Sequence, residues 1–223
     1  MSLMGKQSIM IKIEETIQRG DCFKLLAACF YEPDKQLFLE EKLTENLEHL
    51  LQQLSPEGVA AARKMQSSLK ALEQETLSVD HAVLFVGPFE LTAAPYGSVY
   101  IEKKRTVMGE STVNVARFYQ DAGVSVDIKE PPDHIAIELE FMYYLCSREA
   151  AFAKDGLSVE SSLLREKQSA FFFGALMPWV VDFCEAIRQG TDNGFYLHLS
   201  TCLEQFLRSC EQIYTKAFEE NAA

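Results

Sequence analysis

The stretch IKEPPDHIAIELEFMYYLC, residues 128–146, places two prolines directly before an apolar run with helical spacing. Pro132 keeps Pro131 out of the helical region of backbone space, and its own fixed φ suits the first turn of a helix. The sequence therefore predicts a long helix over residues 132–154. The apolar residues of its predicted buried face recur at three- and four-residue spacing: Ile135, Leu139, Met142 and Cys146.

Asp133 and His134 follow the prolines, and two interpretations of the pair stay open. In the first, Asp133 caps the helix, because unpaired N–H groups and the helix dipole stabilise a first-turn carboxylate by roughly 0.3–1 kcal/mol. In the second, the corner is an exposed surface whose acidic groups and amides hold a peptide or an anion. A catalytic pair is disfavoured, because neighbours in sequence do not face each other on a helix. His134 instead shares a helix face with Glu138, near the edge of the buried stripe.

Helical periodicity extends over most of the chain. It predicts further helices at residues 9–31, 37–54, 56–75, 111–122, 161–175, 178–188 and 195–218, and a short helix that Ser78 begins. Within the non-periodic segment 89–108, residues 98–101 are predicted to be extended, and Gly123 is predicted to end a helix in the left-handed conformation. The alternating pattern typical of a sheet does not appear. The predicted fold class is all-α, a single globular helical domain over residues 4–223 with about nine or ten helices and a hinge at 124–131 between two halves.

Composition excludes several function classes. The formal net charge of −12 disfavours nucleic-acid and anionic-membrane partners, which attract Lys and Arg clusters, and favours a basic partner. Membrane insertion is not expected, since no window approaches about 18 consecutive uncharged apolar residues. No secretion signal is recognised, and residues 1–3 are interpreted as a cloning remnant. The six cysteines are predicted to be reduced and buried, and the four scattered histidines do not have zinc-ligand spacing.

Motifs of common catalytic sites do not appear in the sequence. It has no nucleophile-elbow GxSxG, no phosphate-binding GxxxxGK[ST] and no dinucleotide-binding GxGxxG motif. An enzyme is therefore disfavoured. The alternative that the residues leave open is a GTP-binding or GTP-hydrolysing helical protein that uses Asp133 and His134.

Three ordered blocks resemble one known family. EPPDH followed by IAIELEFM resembles the signature of the TorD/DmsD family of cytoplasmic molybdoenzyme chaperones. The segment LFVGPFELTAAPYGSVYIEKKRTVMGEST, residues 84–112, is similar to the central segment of that family, and most of all to its DmsD branch. GALMPWVVDF, residues 174–183, is similar to the C-terminal helix pair, except that Ala175 stands where the family usually has histidine.

The resemblance implies an all-helical, non-enzymatic, cytoplasmic chaperone. Such a protein binds the twin-arginine signal peptide of an apo-molybdoenzyme related to dimethyl sulfoxide or trimethylamine N-oxide reductase, delays its export and assists insertion of the molybdenum cofactor. It implies no tightly bound cofactor, with GTP or molybdopterin guanine dinucleotide as transient ligands. The implied partners are the leader and catalytic subunit of the client, the Tat translocon and cofactor-synthesis proteins. A monomer and a domain-swapped dimer are both compatible with the sequence, and an assembly factor that binds only the enzyme body is a further alternative.

A reader of such a leader needs an apolar groove with acidic groups at one end. The residues predicted to bind the leader form three sets. The apolar wall comprises Leu84, Phe85, Pro95, Tyr96, Tyr100 and Trp179; the acidic rim comprises Glu130, Asp133 and Glu138; and Ser98, Pro131 and His134 lie between them. For Phe85 and Trp179 a place in the core is an equal alternative, because aromatic side chains dominate protein cores.

Overall fold

The computed structural model describes residues 3–87, 91–103, 107–125 and 130–222, and these residues form a helical fold. Its α-helices are α1 Leu3–Ala28, α2 Lys35–Glu40, α3 Leu43–Leu54, α4 Val59–Ala71, α5 Gln74–His81, α6 Gly97–Ile101, α7 Glu110–Asp121, α8 Ile135–Lys154, α9 Ser158–Phe171, α10 Met177–Gly190 and α11 Gly194–Ala222. The described residues contain no β-strand beyond one isolated bridge, so the prediction of an all-α fold is confirmed.

The core lies between the long helices. Helix α8 packs between α1 and α9, while α11 packs on α4 and α10. One continuous cluster of buried side chains joins residues from the N-terminal and C-terminal halves of the chain. Its largest fully buried members are Trp179, Tyr196, Tyr214, Phe23, Phe30, Phe171, Phe172, Phe183, Phe195 and Phe206.

Several predicted helix boundaries are wrong, each for a local reason. The predicted helix over 37–54 is two helices, α2 and α3, because Lys42 takes a left-handed conformation with φ of 52°. The predicted helix over 56–75 begins with a 3₁₀ turn, Pro56–Gly58, and ends at Ala71. Ser78 lies inside α5, which begins at Gln74. The division of 37–54 and the additional short helix α6 account for the eleven α-helices found in the described residues, where the sequence predicts about nine or ten.

Two errors concern the segments that build the site. Residues 98–101 are not extended, because Gly97–Ile101 forms the single helical turn α6. Helix α8 begins at Ile135 rather than at residue 132, because His134 has an extended conformation and caps the helix. Gly123 has φ of 73° directly after α7, which confirms its predicted role as a helix stop.

Two π-helical turns extend the helices into longer runs. Ala82–Val86 continues α5, and Phe172–Leu176 joins α9 to α10. The joined run Ser158–Gly190 is long and apolar enough to cross a membrane by length and composition, contrary to the sequence expectation, because the helical path continues through Gly174 and Pro178. Half of its most apolar window is buried in the fold, and core helices of soluble proteins have the same character, so this is weak evidence of a span.

All six cysteines are free and buried, as the sequence predicts. The predicted hinge at 124–131 lies partly outside the described residues, since 126–129 are not among them. Residues 1 and 2 of the predicted cloning remnant also lie outside the described residues. The single domain with a hinge therefore stays a prediction.

Candidate functional site

Short backbone pairings join the start of α8 to the segment before α6. Tyr96 and His134 form an isolated antiparallel bridge. The Gly97 N–H donates to the Asp133 carbonyl at 2.9 Å, and the Ile135 N–H donates to the Pro95 carbonyl at 2.9 Å. The EPPDH sequence thus forms a fixed corner, because it is hydrogen-bonded to residues that lie more than thirty positions earlier in the chain.

Asp133 is fully buried in this corner. Its Oδ2 accepts a hydrogen bond from the Ser98 N–H at 2.7 Å, at the N-terminal end of α6. Among the described residues, neither its Oδ1 nor the buried Ser98 hydroxyl has a hydrogen-bond partner. The prediction that Asp133 lies on an acidic rim is therefore wrong, because its carboxylate serves α6 rather than the surface.

Glu138 is also fully buried, one helical turn into α8. Its Oε2 accepts a hydrogen bond from Trp179 Nε1 at 3.2 Å. Burial, and then the charge of Asp133, raise the pKa of Glu138 well above its ordinary value. The prediction that Glu138 belongs to the rim is wrong, because this carboxyl group holds the indole of Trp179 inside the fold.

Most of the predicted apolar wall is core. Leu84, Phe85, Pro95 and Trp179 are buried, so these side chains fill the space where the sequence predicts an open groove. Tyr100 is half-buried, and its ring stacks on Trp179 with 5.6 Å between ring centroids. Gly97 packs so closely against the same indole that an added Cβ would lie 2.9 Å from its Nε1.

Two of the predicted residues do reach the surface at the corner. Tyr96 is half-buried and Glu130 is exposed, and the tyrosine hydroxyl donates to Glu130 Oε2 at 2.8 Å. Burial, and then this hydrogen bond, raise the pKa of Tyr96. Pro131 is half-buried beside them. Tyr96, Glu130 and Pro131 at the corner, and Tyr100 beside Trp179, are therefore the predicted residues that keep some exposed surface.

Two residues that the sequence analysis missed complete this surface. Tyr31, three residues after the end of α1, stacks on the His134 ring at 6.2 Å with 13° between the planes, and the Tyr96 ring contacts the same imidazole edge-on at 5.4 Å. Burial, and then the charge of nearby Glu140, raise the pKa of Tyr31. Tyr31 lies about a hundred residues before the EPPDH sequence, and only its place beside EPD in FYEPD could have pointed to it.

We call Tyr31, Tyr96, Glu130, His134 and Glu140 the corner cluster. His134 is only 6% exposed, and its Nδ1 accepts a hydrogen bond from the Ala136 N–H at 3.2 Å. Burial lowers the pKa of His134 to about 4, although the charges of Glu130 and Asp133 act in the opposite direction. The imidazole is therefore neutral near pH 7, and the formal charges of the cluster are negative.

The described residues contain no group of three or more His, Cys, Asp or Glu side chains placed to hold a metal ion. The corner cluster combines two aromatic rings and two carboxylates. Such a set binds cations through cation–π contacts and charge-assisted hydrogen bonds.

A family model described as "Nitrate reductase delta subunit" matches residues 37–185, which is about two thirds of the chain. The chain belongs to this family, which includes the TorD/DmsD chaperones.

Characterised relatives in this family carry chaperone names. The chain is 31% identical over 137 residues to the chaperone protein TorD of Vibrio parahaemolyticus, covering 60% of this chain and 62% of that protein. It is 31% identical over 147 residues to a selenate reductase assembly chaperone of Thauera selenatis, covering 63% and 72%. It is 25% identical over 199 residues to a Haemophilus influenzae protein named "Probable Tat proofreading chaperone DmsD", covering 84% and 88%.

The names of these relatives are those of chaperones. The chain spans about three fifths of the length of the TorD proteins that it matches from Vibrio parahaemolyticus and Vibrio vulnificus. A crystal structure of an Archaeoglobus fulgidus protein assigned to redox enzyme maturation shares the fold, with a TM-score of 0.52 and 21% identity over 83% of this chain and 92% of that one. Ala175, which replaces the usual histidine of the TorD/DmsD family, is buried in the π turn before α10.

Proposed function

We propose that this protein is a chaperone that binds the twin-arginine leader of an apo-molybdoenzyme through the corner cluster. The observation that carries the proposal is the pair of tyrosines, Tyr31 and Tyr96, whose rings both contact a neutral His134, with Glu130 hydrogen-bonded to Tyr96 and Glu140 close to Tyr31. The negative charge and the aromatic faces lie together at one half-exposed place, where a cationic peptide can reach them.

Arginine suits this cluster better than other side chains do. Its planar guanidinium stacks on aromatic rings and forms two parallel hydrogen bonds to a carboxylate. Two adjacent arginines on an extended segment point to opposite sides, so one guanidinium can meet Tyr96 and Glu130 while the other meets Tyr31 and Glu140. A charged imidazole between them would repel both, and burial keeps His134 neutral at physiological pH.

A chaperone that covers the leader keeps the precursor in the cytoplasm. In this proposal the protein delays export until the client has folded around its molybdopterin guanine dinucleotide, and the catalytic subunit is the second partner. In this proposal, cofactor-synthesis proteins contact the complex before the cofactor is inserted, and the Tat translocon receives the client afterwards. The names of the Haemophilus influenzae and Thauera selenatis relatives, a Tat proofreading chaperone and a selenate reductase assembly chaperone, support this role.

Calorimetry with a synthetic leader tests the proposal. We expect a peptide with Arg-Arg before an apolar core to bind with micromolar or better affinity, about −8 kcal/mol. Replacing both arginines by glutamine should weaken binding at least roughly ten-fold, because two charge-assisted contacts are lost. Equal affinity for both peptides, or for an unrelated basic amphipathic peptide, would contradict the proposal.

A client precursor without its leader separates this function from that of an assembly factor for the enzyme body. If the protein recognises the leader, deleting it should abolish most of the binding. Undiminished binding of the truncated client would show that the protein recognises the body of the enzyme and not the leader. Transient binding of GTP or of molybdopterin guanine dinucleotide stays a prediction, and titration of each nucleotide with and without Mg²⁺ checks it.

A further inference from the structure

A row of exposed valines follows the run formed by α5 and the π turn after it. Val79, Val83 and Val86 are 54%, 51% and 63% exposed, and they recur at spacings of four and three residues, so they share one helix face. The opposite face, which carries Leu77, His81, Leu84 and Phe85, is buried in the core. The valine row is roughly 10 Å long at the rise of a helix. It is therefore a contiguous apolar surface on an element whose inner face is already packed.

An acidic depression lies beside the valine row. It has a volume of about 780 Å³, and Gln74 and Ser78 of α5 line one side of it. Its charged lining consists of four acidic residues and one lysine: Glu32, Asp34, Glu40, Glu73 and Lys35. Lys35 Nζ donates to the Leu72 carbonyl, and within the described part of the chain no ion pair neutralises the four carboxylates.

The depression also continues the corner cluster along the chain. Glu32, which lines it, follows Tyr31 directly. His81 of α5 lies with its Nε2 3.3 Å from the Phe30 carbonyl, which fixes α5 to the end of the α1 segment. The three features are therefore joined through neighbouring residues: Glu32 of the depression follows Tyr31 of the corner cluster, and Ser78 of the depression precedes Val79 of the valine row.

We infer that the valine row and the acidic depression hold the apolar core and the flanking basic residues of the leader, as an extension of the corner cluster. The inference rests on the proposed function. Charge selects this occupant, because a second copy of a chain with net charge −12 would bring like charge to four carboxylates, and a nucleic acid is anionic. A basic segment joined to an apolar one matches both halves of the surface.

The buried cysteines allow a direct test by crosslinking. All six native thiols are buried, so the thiol introduced by Val83→Cys or Glu73→Cys would be the accessible one. The probe is a twin-arginine leader peptide with a bromoacetyl group either on its apolar core or next to its arginines. Val113→Cys provides the matched control, because Val113 is an equally exposed valine, 51%, on α7. Each rate is normalised to the rate with free bromoacetamide.

We expect the probe on the apolar core to label Val83→Cys at least roughly ten-fold faster than Val113→Cys. The probe next to the arginines should favour Glu73→Cys to a similar extent. The double variant Val79→Asn/Val83→Asn should also weaken the unlabelled peptide roughly ten-fold, which corresponds to about 1.4 kcal/mol of lost apolar contact.

Two outcomes would overturn the inference, and they are distinguishable. If the peptide binds native protein but labels Val83→Cys and Val113→Cys at equal normalised rates, the valine row is not its site and the corner cluster alone stands. If the peptide does not bind native protein at all, the proposed function fails and the inference fails with it.

Discussion

His134 performs two tasks at the start of α8. Its Nδ1 caps the helix, and its ring contacts both Tyr31 and Tyr96. The cap needs a neutral imidazole, because a protonated Nδ1 cannot accept the Ala136 N–H. Because the imidazole is buried, its pKa is lowered to about 4. This shift makes the stability of the folded protein depend on pH.

The sign of that link follows from the two pKa values of His134. The ordinary histidine pKa is about 6.5, while that of the folded protein is about 4. As pH falls through this window, the unfolded chain gains a proton that the native imidazole does not take up, so the free energy of unfolding decreases. The full difference corresponds to up to roughly 3 kcal/mol.

We predict that His134→Asn removes this loss of stability between about pH 6.5 and about pH 4. Asparagine is a good N-cap residue and does not titrate, so the helix start should persist. Urea unfolding of both proteins at pH 4.5, 5.5 and 7 measures the effect, with His49→Asn, at an exposed position of α3, as a control. Parallel pH profiles for native protein and His134→Asn would show that the imidazole is not buried as described.

The sequence predicts the chemistry of single residues at the corner better than their exposure. Tyr96 and Glu130 lie where a partner can reach them, whereas Asp133 and Glu138 point inward. Their hydrogen-bond partners, the Ser98 N–H and Trp179 Nε1, come from segments 35 and 41 residues away. Helical periodicity describes only neighbours along one helix, so it cannot reveal such partners. The roles predicted for Asp133 and His134 in binding stay predictions.

At the scale of elements, α6 depends on a residue without a side chain. Gly97 begins α6 and donates its N–H to the Asp133 carbonyl. An added Cβ there would lie 2.9 Å from Trp179 Nε1 and 3.1 Å from Cδ1. The close approach of this turn to the indole fixes the position of Tyr96 relative to α8.

We predict that Gly97→Ala destabilises the protein by roughly 1–3 kcal/mol, because the indole or the turn must move to admit the methyl group. Gly174→Ala is the matched control, since a Cβ at this exposed helical glycine would meet only Phe118, at 3.4 Å. The control should be neutral or gain up to about 1 kcal/mol from helix propensity. Thermal unfolding compares the two, and an equal melting temperature for both variants would contradict the close packing at Gly97.

The sequence predicts least well those helices whose boundaries depend on hydrogen bonds to distant parts of the chain. The long helices follow from their apolar period, and Gly123 from its left-handed conformation. The helical turn α6 and the start of α8 at Ile135 depend on each other, since each supplies hydrogen bonds to the other. No local pattern in 95–98 or 131–134 contains that mutual dependence.

At the scale of the whole molecule, one core and one set of acidic surface features account for the proposed role. The core joins both helical halves. The acidic depression is connected to the corner cluster through Glu32 and to the valine row through Ser78. Composition predicts the negative charge and the basic partner, but the surface itself needs Tyr31, Glu32 and α5 brought beside the EPPDH corner by the fold.

The central claim is that the corner cluster binds the arginines of the leader, and the affinity of a double variant tests it most directly. Glu130→Gln/Glu140→Gln removes two carboxylates and keeps side-chain size, with Glu57→Gln/Glu110→Gln as an equally charged control at exposed positions elsewhere. Calorimetry with the twin-arginine leader and thermal unfolding are measured on each protein. We predict at least a roughly ten-fold loss of affinity in the corner variant, an unchanged melting temperature and control affinity within about two-fold of native protein. Equal affinities of the corner variant and the control would contradict the account.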